Sequence, residues 1–290
     1  MGEFLALLTA FLWGFAVIIF KKCVGRVRPF QLNLFKNCVA FVLLAATTIV
    51  IGHAHTAVGS ARDLLIILTS GALGIGVSDT LFFMTLDRLG ASRTALVDCL
   101  YSPFVIIFSL ALLKEQLTLL AAVGGVLILG SVLLSSQRSF GDALTPKQFW
   151  TGCALGASAM ATVALAIVIV KPLLNSYPLS WLSTVRMAGG IGVMLLLLPL
   201  HPDRKIVFAV FKPQPLWKWM LAGSFFGTYL SLVSWLAGFK YSQAGPVAML
   251  NQTSTVVIVV LAALFLKEPM TKLKLVAVAI AFAGVVIIIS

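Results

Sequence analysis

Ten apolar runs follow one another along the chain with only short polar gaps between them. They fall at approximately 3–20, 30–51, 64–86, 91–113, 117–135, 149–170, 179–199, 216–239, 244–266 and 272–289. A helix needs roughly 20 apolar residues to cross about 30 Å of hydrocarbon, so each run predicts one spanning helix. The longest polar interruption in the middle, Ser135 to Gln148, separates five runs from five. No gap has room for a soluble domain. The pattern predicts an all-α membrane protein of ten transmembrane helices, divided into residues 1–140 and 141–290.

The two halves are copies. The stretch from Ala91 to Thr118 returns 153 positions later as Ala244 to Thr271, with Leu113-Lys114-Glu115 matched by Leu266-Lys267-Glu268. Gly74 and Ser78 meet Gly227 and Ser231 at the same offset, and Lys21 and Lys36 meet Lys171 and Arg186 at an offset of 150. Five helices per half means that the copies insert upside down to each other. Inverted repeats place a binding site near the membrane midplane and supply two interconvertible packings, the basis of alternating access.

In the copied stretch, Asp98, Tyr101 and Ser102 are spaced i, i+3 and i+4, and their counterparts are Asn251, Ser254 and Thr255. A continuous helix stacks such positions on one side. Each copy therefore predicts an apolar helix with one polar stripe, and the two helices are expected to wall a polar site. Pro103 and Pro246 fall at non-equivalent places in these helices, where a proline can bend the backbone. The pairs Gly152/Gly156 and Gly223/Gly227 have the spacing that lets helices approach closely in lipid.

The 290 residues are 60% apolar and 10% charged, with 21 basic and 9 acidic side chains. The bases sit in short gaps between spans, so they read as topology signals and not as a nucleic-acid surface. Counting loop Lys and Arg gives 15 on one side and 4 on the other. By the positive-inside rule the rich side is cytoplasmic and both termini face outward. The four cysteines have no CxxC spacing, and His53, His55 and His201 form no ligand set, so no metal and no cofactor is expected. The start, MGEFLALLTAFLWG, lacks a basic leader and is read as a retained first span.

Two inverted fives, Leu12-Trp13-Gly14 in the first span, a Lys-Glu pair ending each copied helix, and a base early in the second helix of each half (Lys36, Arg186) resemble the EamA-like branch of the drug/metabolite transporter superfamily. The resemblance covers the whole chain. It implies a secondary transporter of small metabolites in the inner or plasma membrane, often an amino-acid exporter, with a central cavity. For eukaryotic relatives it also implies cytoplasmic termini, the opposite of the charge count.

Ionisable groups within spans face protein or water, because lipid penalises them. Asp79, Asp98, Lys36 and Arg186 are of this kind, either as interhelical pairs or as site residues. Depth places Asp79, Asp98 and Lys36 in a single layer, with one acid free to take up a proton or receive a substrate amine. Asp98 is the expected coupling residue and Asp79 the second candidate. The expected substrate site comprises Asp98, Tyr101, Ser102, Asn251, Ser254, Thr255, Trp13, Lys36 and Arg186. The sequence thus predicts a carrier that exports or exchanges a small polar metabolite, best an amino acid or related zwitterion, by alternating access. Its partners are a small-molecule substrate and the bilayer, with no nucleic acid, and it works as a monomer. The alternatives are an organic-cation exporter and, from the faint Gly74-to-Asp79 motif, an intramembrane aspartyl protease.

Overall fold

The computed structural model describes residues 1–89, 94, 97–136, 145–200, 204–266 and 272–289. The expected boundary at 140/141, most of the Ser135–Gln148 segment, the start of the first copied stretch, His201 and the Lys267-Glu268 pair lie outside the described residues. All regular structure is helical, and no strand occurs among the described residues.

In the first half, α1 (Gly2–Lys21) is followed by α2 (Pro29–Val50). Pro29 opens α2 at the position where a missing N–H leaves nothing unpaired. The third span is α3 (Ala61–Gly71), a π-helical turn (Ala72–Val77) and α4 (Ser78–Leu89). Then come α5 (Tyr101–Phe108) with a second π turn (Ser109–Leu113), and α6 (Leu119–Ser136). The second half has α7 (Pro146–Val170) with a 3-10 turn at Lys171–Leu174, and α8 (Leu179–Leu197). A third span of the same plan comes next: α9 (Trp217–Gly223), a π turn (Ser224–Leu230) and α10 (Ser231–Tyr241). The chain ends with α11 (Ala244–Asn251), α12 (Thr253–Leu266) and α13 (Lys272–Ile289). Among the described residues six helical runs are long and apolar enough to cross a membrane, and Tyr101–Leu113 and Ala122–Ser131 are shorter apolar helices.

Helix contacts occur with the halves exchanged. The first helix of the first half, α1, packs on α10 and α12 of the second; the first helix of the second half, α7, packs on α4 and α5. Helices α2 and α8 pack together, as do α6 and α13. The paired glycines make these contacts close. A Cβ at Gly152 would meet Leu89, at Gly156 Val97, at Gly223 Phe20 and at Gly227 Ala16.

The two copied helices are not continuous, which corrects the expectation of an unbroken polar stripe. Asp98 is helical, Cys99 and Leu100 form a turn, and α5 starts at Tyr101. Pro103 supplies the reason, since it has no N–H for the Cys99 carbonyl. The second copy breaks at the matching place, Gln252, without a proline. There the Gln252 amide bonds back to the Met249 carbonyl and the Thr255 amide to the Gln252 carbonyl, each at 3.1 Å. The Thr253 hydroxyl takes the Leu250 carbonyl at 2.7 Å. These tight local bonds replace the regular ladder.

At the face holding the N-terminus, a polar clamp joins both halves. Lys171 Nζ donates to the carbonyls of Phe239 (2.8 Å) and Ser242 (2.5 Å) and lies 3.4 Å from Glu115. The other Glu115 oxygen accepts the Ala244 amide at 2.8 Å. The Ser242 hydroxyl donates to Glu3 at 2.7 Å, which ties the start of α1 to the same corner.

Candidate substrate cavity

A cavity of about 170 Å³ lies between the halves at the level of the two helix breaks. Of the residues expected for the site, Trp13, Lys36, Asp79, Asp98, Tyr101, Arg186, Asn251 and Ser254 line it. Ser102 and Thr255 do not line it; they are buried behind it. These two are repeat mates, and each comes after a break. An unbroken helix would stack them over Asp98 and Asn251, and the breaks remove that alignment.

Lys36 is positioned from α2 and Asp79 from the start of α4. The Lys36 ammonium lies 2.6 Å from the Asp79 carboxylate and also donates to Asn37 Oδ1 at 2.9 Å. Asn37 in turn donates to Asn33 at 3.0 Å. The Asn33 amide reaches the carbonyls of Ile75 (3.1 Å) and Gly76 (3.2 Å) and the Thr80 hydroxyl (2.9 Å). A π turn disturbs the regular backbone ladder, so α2 holds the π turn of the third span with the same side chains that fix Lys36.

Arg186 sits at the corresponding position of α8, 1% exposed. A glycine makes room for it: a Cβ at Gly71 would collide with the Arg186 carbonyl, and one at Gly74, beside the guanidinium, would crowd Ala166. Its Nε donates to Ser70 Oγ at 3.0 Å, and Ser70 donates to the Ala166 carbonyl at 2.5 Å. The Trp235 ring lies 5.6 Å from the guanidinium carbon, within cation–π range. Its Nη1 has no hydrogen-bond partner. The reason is in the repeat: the residue 153 positions after Asp79 is Leu232, so Arg186 faces no copied acid.

The Asp98 carboxylate lines the cavity in no hydrogen bond or ion pair among the described residues. The Tyr101 hydroxyl lies beside Asn251, Trp235 and Arg186 without reaching hydrogen-bond geometry. It is unpartnered, as are the Thr228 hydroxyl and both amide atoms of Asn251. Buried polar groups without partners are uncommon, and here they gather around one volume. Trp13, Phe82, Met160 and Val163 supply apolar wall between them.

Several lining residues went unread in the sequence. Thr9, Thr228 and Gln252 carried no signal of their own, and Ser70 supports Arg186 from outside the cavity. Ser231 was legible as the mate of Ser78. Tyr229, an aromatic of the same span, instead bonds Thr47 at 2.7 Å and does not line the cavity. Among the described residues no cluster of His, Cys, Asp or Glu could hold a metal ion.

A helical bundle with a charged cavity between two copied halves defines a polytopic membrane carrier. The profile of the EamA-like transporter family matches residues 1–137 and again 150–290. The chain belongs to this family, within the drug/metabolite transporter superfamily. It is thereby a multi-pass protein of the inner or plasma membrane that moves a small molecule. It is 25% identical over 288 residues to Protein PecM of Dickeya dadantii (strain 3937), covering 95% of this chain and 88% of that one. A solved crystal structure superposes with a TM-score of 0.80 over 99% of this chain and 98% of the other, at 15% identity. That likeness concerns the fold alone.

Proposed function

We propose that this transporter exports or exchanges a small zwitterion, an amino acid or a close relative, by alternating access through the cavity. The observation that carries the reading is the unpartnered Nη1 of a 1% exposed Arg186. An arginine stays charged, and a buried guanidinium N–H without a partner is costly. A substrate carboxylate fits it with charge-assisted hydrogen bonds. Lys36 and Asp79 neutralise each other, which leaves Arg186 and Asp98 as the charges available to a ligand. One is basic and one acidic, and a zwitterion satisfies both. Asp98 then takes the amine, and Tyr101 and Asn251 complete the hydrogen bonding.

The same charges weigh against the alternatives. A purely cationic substrate leaves the Arg186 Nη1 without an acceptor. A protease of the aspartyl type needs two carboxylates sharing a proton, whereas Asp79 is engaged with Lys36.

Counterflow in proteoliposomes tests the proposal. A panel of radiolabelled amino acids loaded against excess unlabelled substrate should reveal saturable exchange, and Arg186→Leu should abolish it. Exchange of an organic cation with no amino-acid exchange would overturn the reading.

A further inference from the structure

Gln252 fills the break in the second copied helix, is 3% exposed and lines the cavity. Its Nε2 donates to the backbone carbonyl of Asp98 at 3.0 Å, at the break in the first copied helix. The two breaks are thus joined directly across the repeat interface. The mate of Gln252, 153 positions earlier, is Cys99, whose side chain carries no amide. We propose that Gln252 is a positioning residue, through which the second half sets the Asp98 carboxylate in the cavity.

The physical argument concerns a helix end. Asp98 is the last helical residue before the Cys99–Leu100 turn, and Pro103 leaves the backbone there short of one N–H. The turn's own bonds run from the Leu100 amide to the Val97 carbonyl and from the Phe104 amide to the Leu100 carbonyl, so the Asp98 carbonyl is left to another group. The Gln252 amide holds it, and the Asp98 side chain leaves the same residue whose carbonyl is fixed. When the halves rock against each other, the bond carries the movement of α11 and α12 into the orientation of the carboxylate. The role rests on the reading of Asp98 as the group that receives the substrate amine.

Two variants and two readouts test it. Gln252→Leu removes the donor. Gln252→Glu keeps the shape but donates only when its carboxyl is protonated. The first readout is the KM of whichever panel amino acid the wild type exchanges fastest. The second needs no substrate: the rate at which a hydrophobic carbodiimide modifies Asp98 in lipid nanodiscs, read by peptide mass. Lys36, Asp79, Asp98, Tyr101 and Arg186 face the same cavity, so each rate is expressed relative to wild type at the same pH.

For Gln252→Leu the KM should rise about tenfold at unchanged maximal flux, the effect of one lost hydrogen bond to a buried group. Its Asp98 labelling rate should change at every pH. Gln252→Glu should match the leucine variant at about pH 8 and return to wild-type KM and labelling at about pH 5, where a glutamic acid can donate. A purely steric role gives no such recovery. Wild-type labelling in both variants, or equal defects of Gln252→Glu at both pH values, would overturn the proposal. If the wild type exchanges no amino acid while the labelling pattern holds, the zwitterion reading falls and the positioning role stands.

Discussion

Lys36 and Asp79 form an ion pair of 2.6 Å across α2 and α4, and the second half keeps the base but not the acid. Lys36 is 1% exposed and Asp79 23%, so the pair is desolvated on one side only. The consequence is a division of labour among residues that are copies by sequence. One base is a fixed strut of the first half, and the other is left for the ligand.

Breaking the pair from one side should therefore be costly, and removing both sides should not. Asp79→Leu, which installs the residue of the second half, should destabilise by about 3 kcal/mol, the lower end for a broken buried pair because Asp79 keeps some solvent contact. Adding Lys36→Met should recover most of the loss. Thermal unfolding of the purified variants measures both, and equal melting temperatures for single and double variants would contradict the argument.

The converse substitution addresses Arg186. Leu232→Asp places an acid at the copied position and should hold the guanidinium as Asp79 holds Lys36. Substrate carboxylates then compete with an internal one, so the KM for amino-acid counterflow should rise at least about tenfold, the scale of a charge-assisted bond. Folding and membrane insertion should be unchanged. An unaltered KM would show that Arg186 does not contact the substrate.

Lys171 holds together the end of α10, the start of α11 and, through Glu115, the stretch just after the Ser109–Leu113 turn. In a background without native cysteines, Thr9→Cys reports on the cavity from beneath this clamp. Lys171→Met should raise its reaction rate with a hydrophilic thiol reagent about fivefold, as expected if roughly 1 kcal/mol of closure is lost. An unchanged rate would make the clamp a static brace.

Topology is open to a direct check. If the 15-to-4 asymmetry of Lys and Arg governs insertion, Lys212→Cys should resist an impermeant thiol reagent in intact cells and react after permeabilisation. Reaction in intact cells would place the termini in the cytoplasm.

Much of the cavity lining is legible in the sequence because its ionisable groups are intramembrane and duplicated. Lys36, Asp79, Asp98 and Arg186 stand out as ionisable groups in apolar runs, and the offset between the copies pairs each with its mate. The errors came from assuming an unbroken helix. With Pro103 the first break had a visible cause, but the break at Gln252 arises from local bonds of Thr253 and Thr255 that no periodicity reveals. Helical spacing therefore puts Ser102 and Thr255 on the cavity face and gives no signal at Gln252. The Lys-Glu ending of the first copied helix was seen as a motif, yet Glu115 pairs with Lys171, a contact set by tertiary packing.

The π turns at Ala72–Val77 and Ser224–Leu230 fix the rotational phase of α4 and α10, the helices they lead into. A π turn accommodates one residue more than the α-helix around it, and one residue corresponds to about 100° of rotation. Were the same residues of Ala72–Val77 to wind as regular helix, the start of α4 would swing by that angle. Ser78 and Asp79 would leave the cavity, and Lys36 would lose its partner without any change to either residue. The third span of each half is thus a dial set by its winding: whether these few residues turn as π or as α decides which side chains face the cavity.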